Sequence, residues 1–318
     1  MNQNIEVFFS EKITLKNNVW VLSDTQKDQN HQQTNEVFSD KWSRFEKEDS
    51  GNNNKLFLFQ KKWYLDLYGF KDESDLKRFL NNKKVILDAG CGLGYKSSWF
   101  AELSPNSLII AMDYSDSVFF AQKQYKHLSN LFFVKGNIEK TKIKDNTVDY
   151  ISCDQVIHHT ENPDRTMLEF SRILKKAGQL AVYVYAKKAL PRELLDDYFR
   201  DMTKSIPKTK MWELSNQLTQ LGKTLSDLNI SIDVPEIPLL GIKKERIDIQ
   251  RFIYWNFLKC FWNPDLGLET SISTNYDWYA PSNAKRYSKK EFEKMIQHAK
   301  LKNIYLHSEE ACFSGRFS

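Results

Sequence analysis

Cysteine is scarce in this chain and scattered. Cys91, Cys153, Cys260 and Cys312 are the only ones in 318 residues, and no two form a C-x-x-C pair. The spacing argues against a zinc ribbon, and no metal site is read here. The low count argues against a disulfide framework, which small secreted domains use in place of a core. Long apolar runs are also missing. None approaches the ~20 residues that cross a bilayer. The first residues, MNQNIEVFFSEK, are polar and acidic rather than basic and then apolar, so no secretory signal is read and the cytoplasm is the expected location. A dense basic tract is absent too. The net charge of +5 comes from 46 basic and 41 acidic residues spread along the chain. Pairs such as Lys61-Lys62, Lys175-Lys176 and Lys243-Lys244 read as solvated faces, which argues against nucleic acid as a partner.

What the chain does contain is enough apolar residue, 41%, for a sizeable core, and an aromatic surplus of 8 Trp, 14 Tyr and 21 Phe. Part of that surplus suits an aromatic-lined pocket. Ile5–Phe9 and Asn18–Leu22 read as a short hairpin, and Lys55–Phe70 and Glu73–Leu80 as helices. From Lys84 the pattern becomes regular. Short apolar runs at 84–87, 107–112, 131–134, 147–153 and 179–185 alternate with helical stretches at 95–103, 115–127 and 163–174. That order implies a parallel sheet with helices on both faces. Residues 187–281 break the rhythm, with helices expected at 190–202, 210–221 and 245–261 and no strand. A helix at 289–300 and two strands, 303–307 and 312–317, close the chain. We therefore expect an N-terminal extension and lid (1–54), an α/β core (55–186), a mostly helical inserted cap (187–281) and the end of the core (282–318).

The central motif is VILDAGCGLGYKS, Val85 to Ser97. A strand runs into Gly90, Gly92 and Gly94, and a helix follows at once. Glycine tolerates positive φ and lets backbone approach a ligand, while the helix offers its free N–H groups. A dinucleotide fingerprint G-x-G-x-x-G would need its third glycine at Tyr95, so that pattern fails. Instead an acid, Asp88, stands two residues before the first glycine. It suits a ligand with an ammonium group, such as the methionine part of S-adenosylmethionine. A second acid, Asp113, ends the next strand, where a carboxylate can accept both ribose hydroxyls. Tyr114 and Val118 would border the adenine.

VILDAGCGLGYKS, IIAMDYS, VDYISCDQVIHHTENPDR and RILKKAGQLAVYVY together resemble successive motifs of the class I S-adenosylmethionine-dependent methyltransferases, closest to the type 11, ubiquinone-methylase-like group. The resemblance covers about residues 83–186 and, more weakly, 287–318. It implies a Rossmann-like, seven-stranded, mostly parallel sheet whose last strand is antiparallel. S-adenosylmethionine is the implied cofactor, bound by Asp88, Gly90, Cys91, Gly92 and Gly94 on the methionine side and by Asp113 at the ribose. Asn137-Ile138 match the pair beside adenine, although Asp is usual where Asn137 stands; its amide carbonyl would meet the adenine amine. Asp154 and Gln155 match the strand end where the cofactor's methionine end meets the acceptor. Gln33–Trp42 resembles a lid segment, and Tyr276–Pro281 a segment before the relatives' last helix.

In-line transfer of a methyl group from a sulfonium requires alignment above all, and an O–H acceptor also needs a base. His158 and His159 follow the fourth strand, one expected in the pocket and the other packing outward, with Asp154 as the rival base. Trp42, Tyr276, Trp278 and Tyr279 are the expected acceptor contacts, the last three because a loop presents aromatics to ligands. The expected activity is methyl transfer to a small molecule of sugar, lipid or natural-product type. An RNA methyltransferase and a non-catalytic S-adenosylmethionine-binding partner subunit are the alternatives, and an oligomer is left open.

Overall fold

In a computed structural model, residues 5–23, 28–45 and 50–318 are described. The elements are β1 (Thr14–Lys16), β2 (Val19–Val21), α1 (Gln29–Phe45), α2 (Ser50–Tyr68), α3 (Glu73–Asn81), β3 (Val85–Ala89), α4 (Tyr95–Leu103), β4 (Leu108–Asp113), α5 (Ser117–Tyr125), β5 (Leu131–Lys135), β6 (Val148–Cys153), α6 (Pro163–Ile173) and β7 (Leu174–Ala186). They continue with α7 (Leu190–Thr203), α8 (Lys208–Asp227), β8 (Ser231–Val234), β9 (Glu245–Asp248), α9 (Ile249–Asn256), α10 (Gly267–Tyr279), β10 (Arg286–Tyr287), α11 (Lys289–His298), β11 (Asn303–Ser308) and β12 (Cys312–Phe317). The chain divides into two compact units, residues 1–28, 57–186 and 285–318, and residues 29–56 and 187–284. Among the described residues, no helix is long and apolar enough to cross a membrane.

The first unit is an α/β sheet sandwich. Its main sheet runs β1-β2-β5-β4-β3-β6-β7-β12-β11. Strands β5, β4, β3, β6 and β7 are mutually parallel, and β12 is antiparallel to both β7 and β11. Those seven are the expected strands. The structure adds β1 and β2 at the β5 edge and the two-residue β10 alongside the end of β7, so the sheet has ten strands rather than seven.

Period-two alternation sorts the core. Val85, Leu87, Ala89, Leu108, Ile110 and Met112 face one layer with Met167 and Phe170 of α6 and Phe292 and Met295 of α11. Ile86, Ile109 and Ala111 face the other, with Tyr64 and Leu67 of α2, Leu76 of α3 and Phe100 of α4. Strands covered on both faces read as continuous apolar runs, which is why they were legible. Local chemistry sets the helix starts. Asn162 caps α6 by accepting from the Arg165 amide at 3.0 Å, with Pro163 at its first position. Ser288 and Glu291 form a reciprocal capping box on α11.

Several expectations are corrected. The N-terminal hairpin pairs 14–16 with 19–21, and Ile5–Phe8 is a 3-10 turn. The expected single extension 1–54 is split between the two units, and the insert closes at 284 rather than 281. The second unit contains a hairpin, β8 paired antiparallel with β9, where no strand was expected. Residues 245–248 are held by that pairing, so the helix expected from Glu245 begins at Ile249, where Asp248 caps it by accepting from the Arg251 amide.

Candidate functional site

The chain order reverses between β3 and β6. That switch point, at the strands' carboxyl ends, is where open α/β sheets bind ligands. Gly90, Gly92 and Gly94 form the bend at the end of β3, with φ of +84°, +53° and +76°. A side chain in that left-handed region costs about 1 kcal/mol or more. Space gives a second reason at two positions. A Cβ on Gly90 would lie 2.4 Å from the Val156 methyl groups, and one on Gly94 would lie 2.8 Å from the Phe133 ring. These two glycines therefore admit protein side chains. The bend's ligand chemistry lies in its backbone. The Gly90 and Cys91 amides donate to the Met112 carbonyl at 2.7 and 3.1 Å, fastening the bend to β4. Gly94 is the N-cap of α4, whose positive end thus opens at the bend.

Asp113 completes this arrangement. One carboxylate oxygen accepts the Gly92 amide at 2.8 Å, and the other accepts the Ser115 amide and hydroxyl at 2.8 and 2.6 Å. Three of its roughly four acceptor sites are used, so the oxygen bound to Gly92 keeps capacity for one ribose hydroxyl rather than two. Asp113, Tyr114, Gly90 and Gln155 are half-buried and line this edge. Gln155 has φ of +62°, unfavourable for a side chain that size, immediately after β6.

Other expected contacts lie deeper. Val118, in the first turn of α5, is fully buried. Asn137 is buried, and its carbonyl caps the 3-10 turn Ile138–Lys140 by accepting from the Glu139 amide at 2.9 Å. That carbonyl is therefore directed at Glu139 rather than held free for adenine. Ile138 is packed with the strand β4 face, and burial pushes the Cys91 thiol well above its usual range, as in an inert apolar site.

Beneath the bend lies a polar network that the sequence reading did not assemble. Asp88 is 1% exposed and accepts the Ser97 hydroxyl at 2.5 Å. It faces the first turn of α4, not an open surface where it would meet an ammonium ligand. Burial, only partly offset by the Lys96 ammonium and the Ser97 hydroxyl, pushes its carboxyl from 3.8 up to about 6. Lys96 is itself buried and pairs with Asp154 at 2.5 Å. Burial pulls Lys96 down, but Asp154, Tyr95 and Asp88 together hold it above its ordinary value. Asp154 also accepts from the Tyr68 hydroxyl at 2.7 Å and from Gln155 at 3.3 Å. With both oxygens engaged, Asp154 serves as a counter-ion rather than a free proton acceptor.

The raised Asp88 carboxyl makes stability pH-dependent. A folded state that holds the proton more tightly loses stability as pH rises from roughly 4 to 6, by up to about 3 kcal/mol, and no further above that. Asp88→Asn lacks this loss. Its urea stability relative to the unaltered protein is therefore expected to improve by up to that amount between pH 4 and pH 7. A difference that stays constant with pH would contradict the assignment.

His158 and His159 lie on the 3-10 turn after β6, and both are buried, so neither packs outward as expected. The His158 ring lies 3.8 Å from that of Tyr185 and 4.3 Å from that of His159, with Tyr183 at 5.8 Å. The Lys285 amide donates to the His158 carbonyl at 2.9 Å, tying the turn to the strand β10 segment. These rings form an aromatic cluster at the carboxyl ends of β6 and β7.

The expected acceptor contacts Trp42, Tyr276, Trp278 and Tyr279 all belong to the second unit. Trp42 is half-buried on α1, with the Lys41 ammonium 4.3 Å from its ring. The other three lie on helix α10, not in a loop, and are 0%, 3% and 1% exposed. Tyr276 stacks on Trp212 at 4.0 Å, and the Tyr279 hydroxyl donates to Asp196 at 2.8 Å. Ile272, Tyr276 and Tyr279 are spaced i, i+4 and i+7, a signal of helix obscured by the Ser- and Thr-rich residues between them.

The residues at the switch point suit S-adenosylmethionine. A half-exposed carboxylate stands at the β4 tip, a helix N-terminus opens at the bend, and Tyr95 stands where a dinucleotide fingerprint would need its last glycine. Residues 87–182 match the family described as Methyltransferase domain. An uncharacterized protein of Methanocaldococcus jannaschii is 33% identical over 167 residues, 51% of this chain and 66% of that protein. The mitochondrial ubiquinone biosynthesis O-methyltransferase of Schizosaccharomyces pombe is 25% identical over 152 residues, 46% of this chain and 54% of that one. A solved structure of a SAM-dependent methyltransferase from Aquifex aeolicus is similar over 80% of this chain and 90% of its own, at 15% identity and a TM-score of 0.41. The chain spans between 25% and 66% of the length of the curated relatives it matches. The strand order, the bend and the match over 87–182 lead to one conclusion: the chain carries a class I S-adenosylmethionine-dependent methyltransferase domain.

Proposed function

We propose that the chain moves the methyl group of S-adenosylmethionine to a small-molecule acceptor by in-line displacement. The observation that carries the reading is the Gly92–Asp113 contact. It sets a carboxylate with spare acceptor capacity against the bend, beside the N-terminus of α4, which supports a ribose-binding role for Asp113. The cofactor supplies an electrophilic methyl group on sulfur, and the chain's own residues bind, orient and exclude water. The cluster of His158, His159, Tyr183 and Tyr185 supports an acceptor with ring or apolar surface, and we assign the transfer of a hydroxyl proton to one of its imidazoles. The relative named as a ubiquinone biosynthesis O-methyltransferase supports oxygen as the methylated atom.

The test is formation of S-adenosylhomocysteine, read by mass spectrometry, from S-adenosylmethionine and a panel of quinols, sugars and lipid alcohols. With the acceptor that turns over, His158→Ala or His159→Ala is expected to lower kcat by about 10²-fold or more, while cofactor affinity is unchanged. Full activity in both variants removes the base role. No product with any acceptor class counts against the proposed transfer.

A further inference from the structure

The second unit buries a cation that, among the described residues, forms no salt bridge. Lys259 lies in the segment between α9 and α10 and is 6% exposed. That segment is pinned from several sides. Asn275 accepts from the Phe261 amide at 2.8 Å and donates back to the Phe261 carbonyl at 3.0 Å, while Gln250 donates to the Cys260 carbonyl at 2.9 Å. Gly222 lets α8 approach so closely that a Cβ there would lie 2.2 Å from the Cys260 carbonyl oxygen. The Lys259 amide donates to the Tyr279 hydroxyl at 3.3 Å. The side chain is thus held in place by its own backbone.

Its ammonium lies 4.3 Å from the centre of the Trp278 ring and 5.8 Å from that of Tyr254. Among the described residues, no carboxylate or other acceptor hydrogen-bonds it. Of the neighbouring acids, Asp196 has both oxygens engaged, while Asp277 is paired through one oxygen only. Asp196 accepts from Arg192 Nε and from the Tyr279 hydroxyl, both at 2.8 Å, and Asp277 pairs with Lys41 at 2.5 Å. The charged neighbours on α7 and just before it, Arg192 and Lys188, are cations, and those on α10 and α7, Asp277 and Asp196, only partly balance them. Arg192, 1% exposed, stands 5.2 Å from the same Trp278 ring. A buried ammonium without a partner is costly. It either gives up its proton or takes its counter-ion from solution.

We propose that Lys259, with Arg192 beside it, is the recognition point of a second ligand site that takes the oxyanion, carboxylate or phosphate, of a small molecule. The site is independent of the methyl-transfer reading. Burial, reinforced by Arg192, holds the free amine well below its ordinary value, so an arriving oxyanion brings a proton with it. Affinity therefore rises as pH falls below the ordinary lysine range.

Calorimetry on the full chain tests this with benzoate, phenyl phosphate and neutral benzamide, in buffers of different ionisation enthalpy. At least one oxyanion is expected to bind about tenfold or more tightly than benzamide, with proton uptake. Lys259→Met, shown folded by circular dichroism, should lose about tenfold or more, and Lys259→Arg should keep most of the affinity. Which oxyanion binds identifies the ligand class. Equal affinity in the unaltered protein and Lys259→Met, binding without proton uptake, or no saturable binding of either oxyanion would overturn the proposal. Should Lys259→Met not fold, the proton uptake of the unaltered protein still decides it.

Discussion

Asp113→Ala is expected to weaken S-adenosylmethionine binding by roughly two orders of magnitude in Kd, about 3 kcal/mol. The carboxylate does two things at once. It offers its remaining acceptor capacity to a ribose hydroxyl, a charge-assisted hydrogen bond worth about 1.5–3 kcal/mol. It also orients the bend, since the Gly92 amide and both Ser115 donors converge on it. Alanine removes the first contact and leaves three donors without their acceptor. Asp113→Asn should fall between, because an amide oxygen can still accept from Gly92 but carries no charge. Calorimetric titration with S-adenosylmethionine checks the order Asp, Asn, Ala. Unchanged affinity in the alanine variant would refute the ribose assignment and, with it, the observation on which the proposed reaction rests.

The second large effect is on stability. Lys96→Met and Asp154→Leu are each expected to destabilise the first unit by about 3–5 kcal/mol, while the double variant costs far less than their sum. The pair is buried, with side chains 9% and 3% exposed. Removing either partner strands a charge in the layer that also holds the hydroxyls of Tyr64, Tyr68, Tyr150 and Ser152. Removing both removes the desolvation problem and leaves an apolar replacement. Urea unfolding of the four proteins, with m-values compared, measures the coupling. Additive single effects would show that the ion pair does not act as a unit.

This pair also marks the limit of what the sequence exposes. Lys96 was visible only as one residue of the helix that follows the glycine bend. Its partner is 58 positions away, and nothing in local periodicity connects them. Asp88 was read as a contact for a ligand's ammonium because it stands beside the bend. Only the packing of α4 over β3 encloses it against Ser97. His158 and His159 were found from their place after a strand, but their packing against Tyr185 depends on the neighbouring strand's register. The aromatics of 276–279 were assigned to a loop because a polar run hid a helical spacing.

The sequence by itself determined the β3–bend–α4 unit and the alternation of strands and helices through β7. Those features are written in period-two and period-3.6 patterns, in glycines that tolerate positive φ, and in caps such as Asn162-Pro163, all of which act within a few residues. Only the tertiary structure decided that β1 and β2 extend the sheet, that β8 pairs with β9, and which buried carboxylate neutralises which ammonium. Such choices depend on which distant groups are left without water together. Burial makes those pairings matter, and burial is a property of the folded chain that no short window of sequence contains.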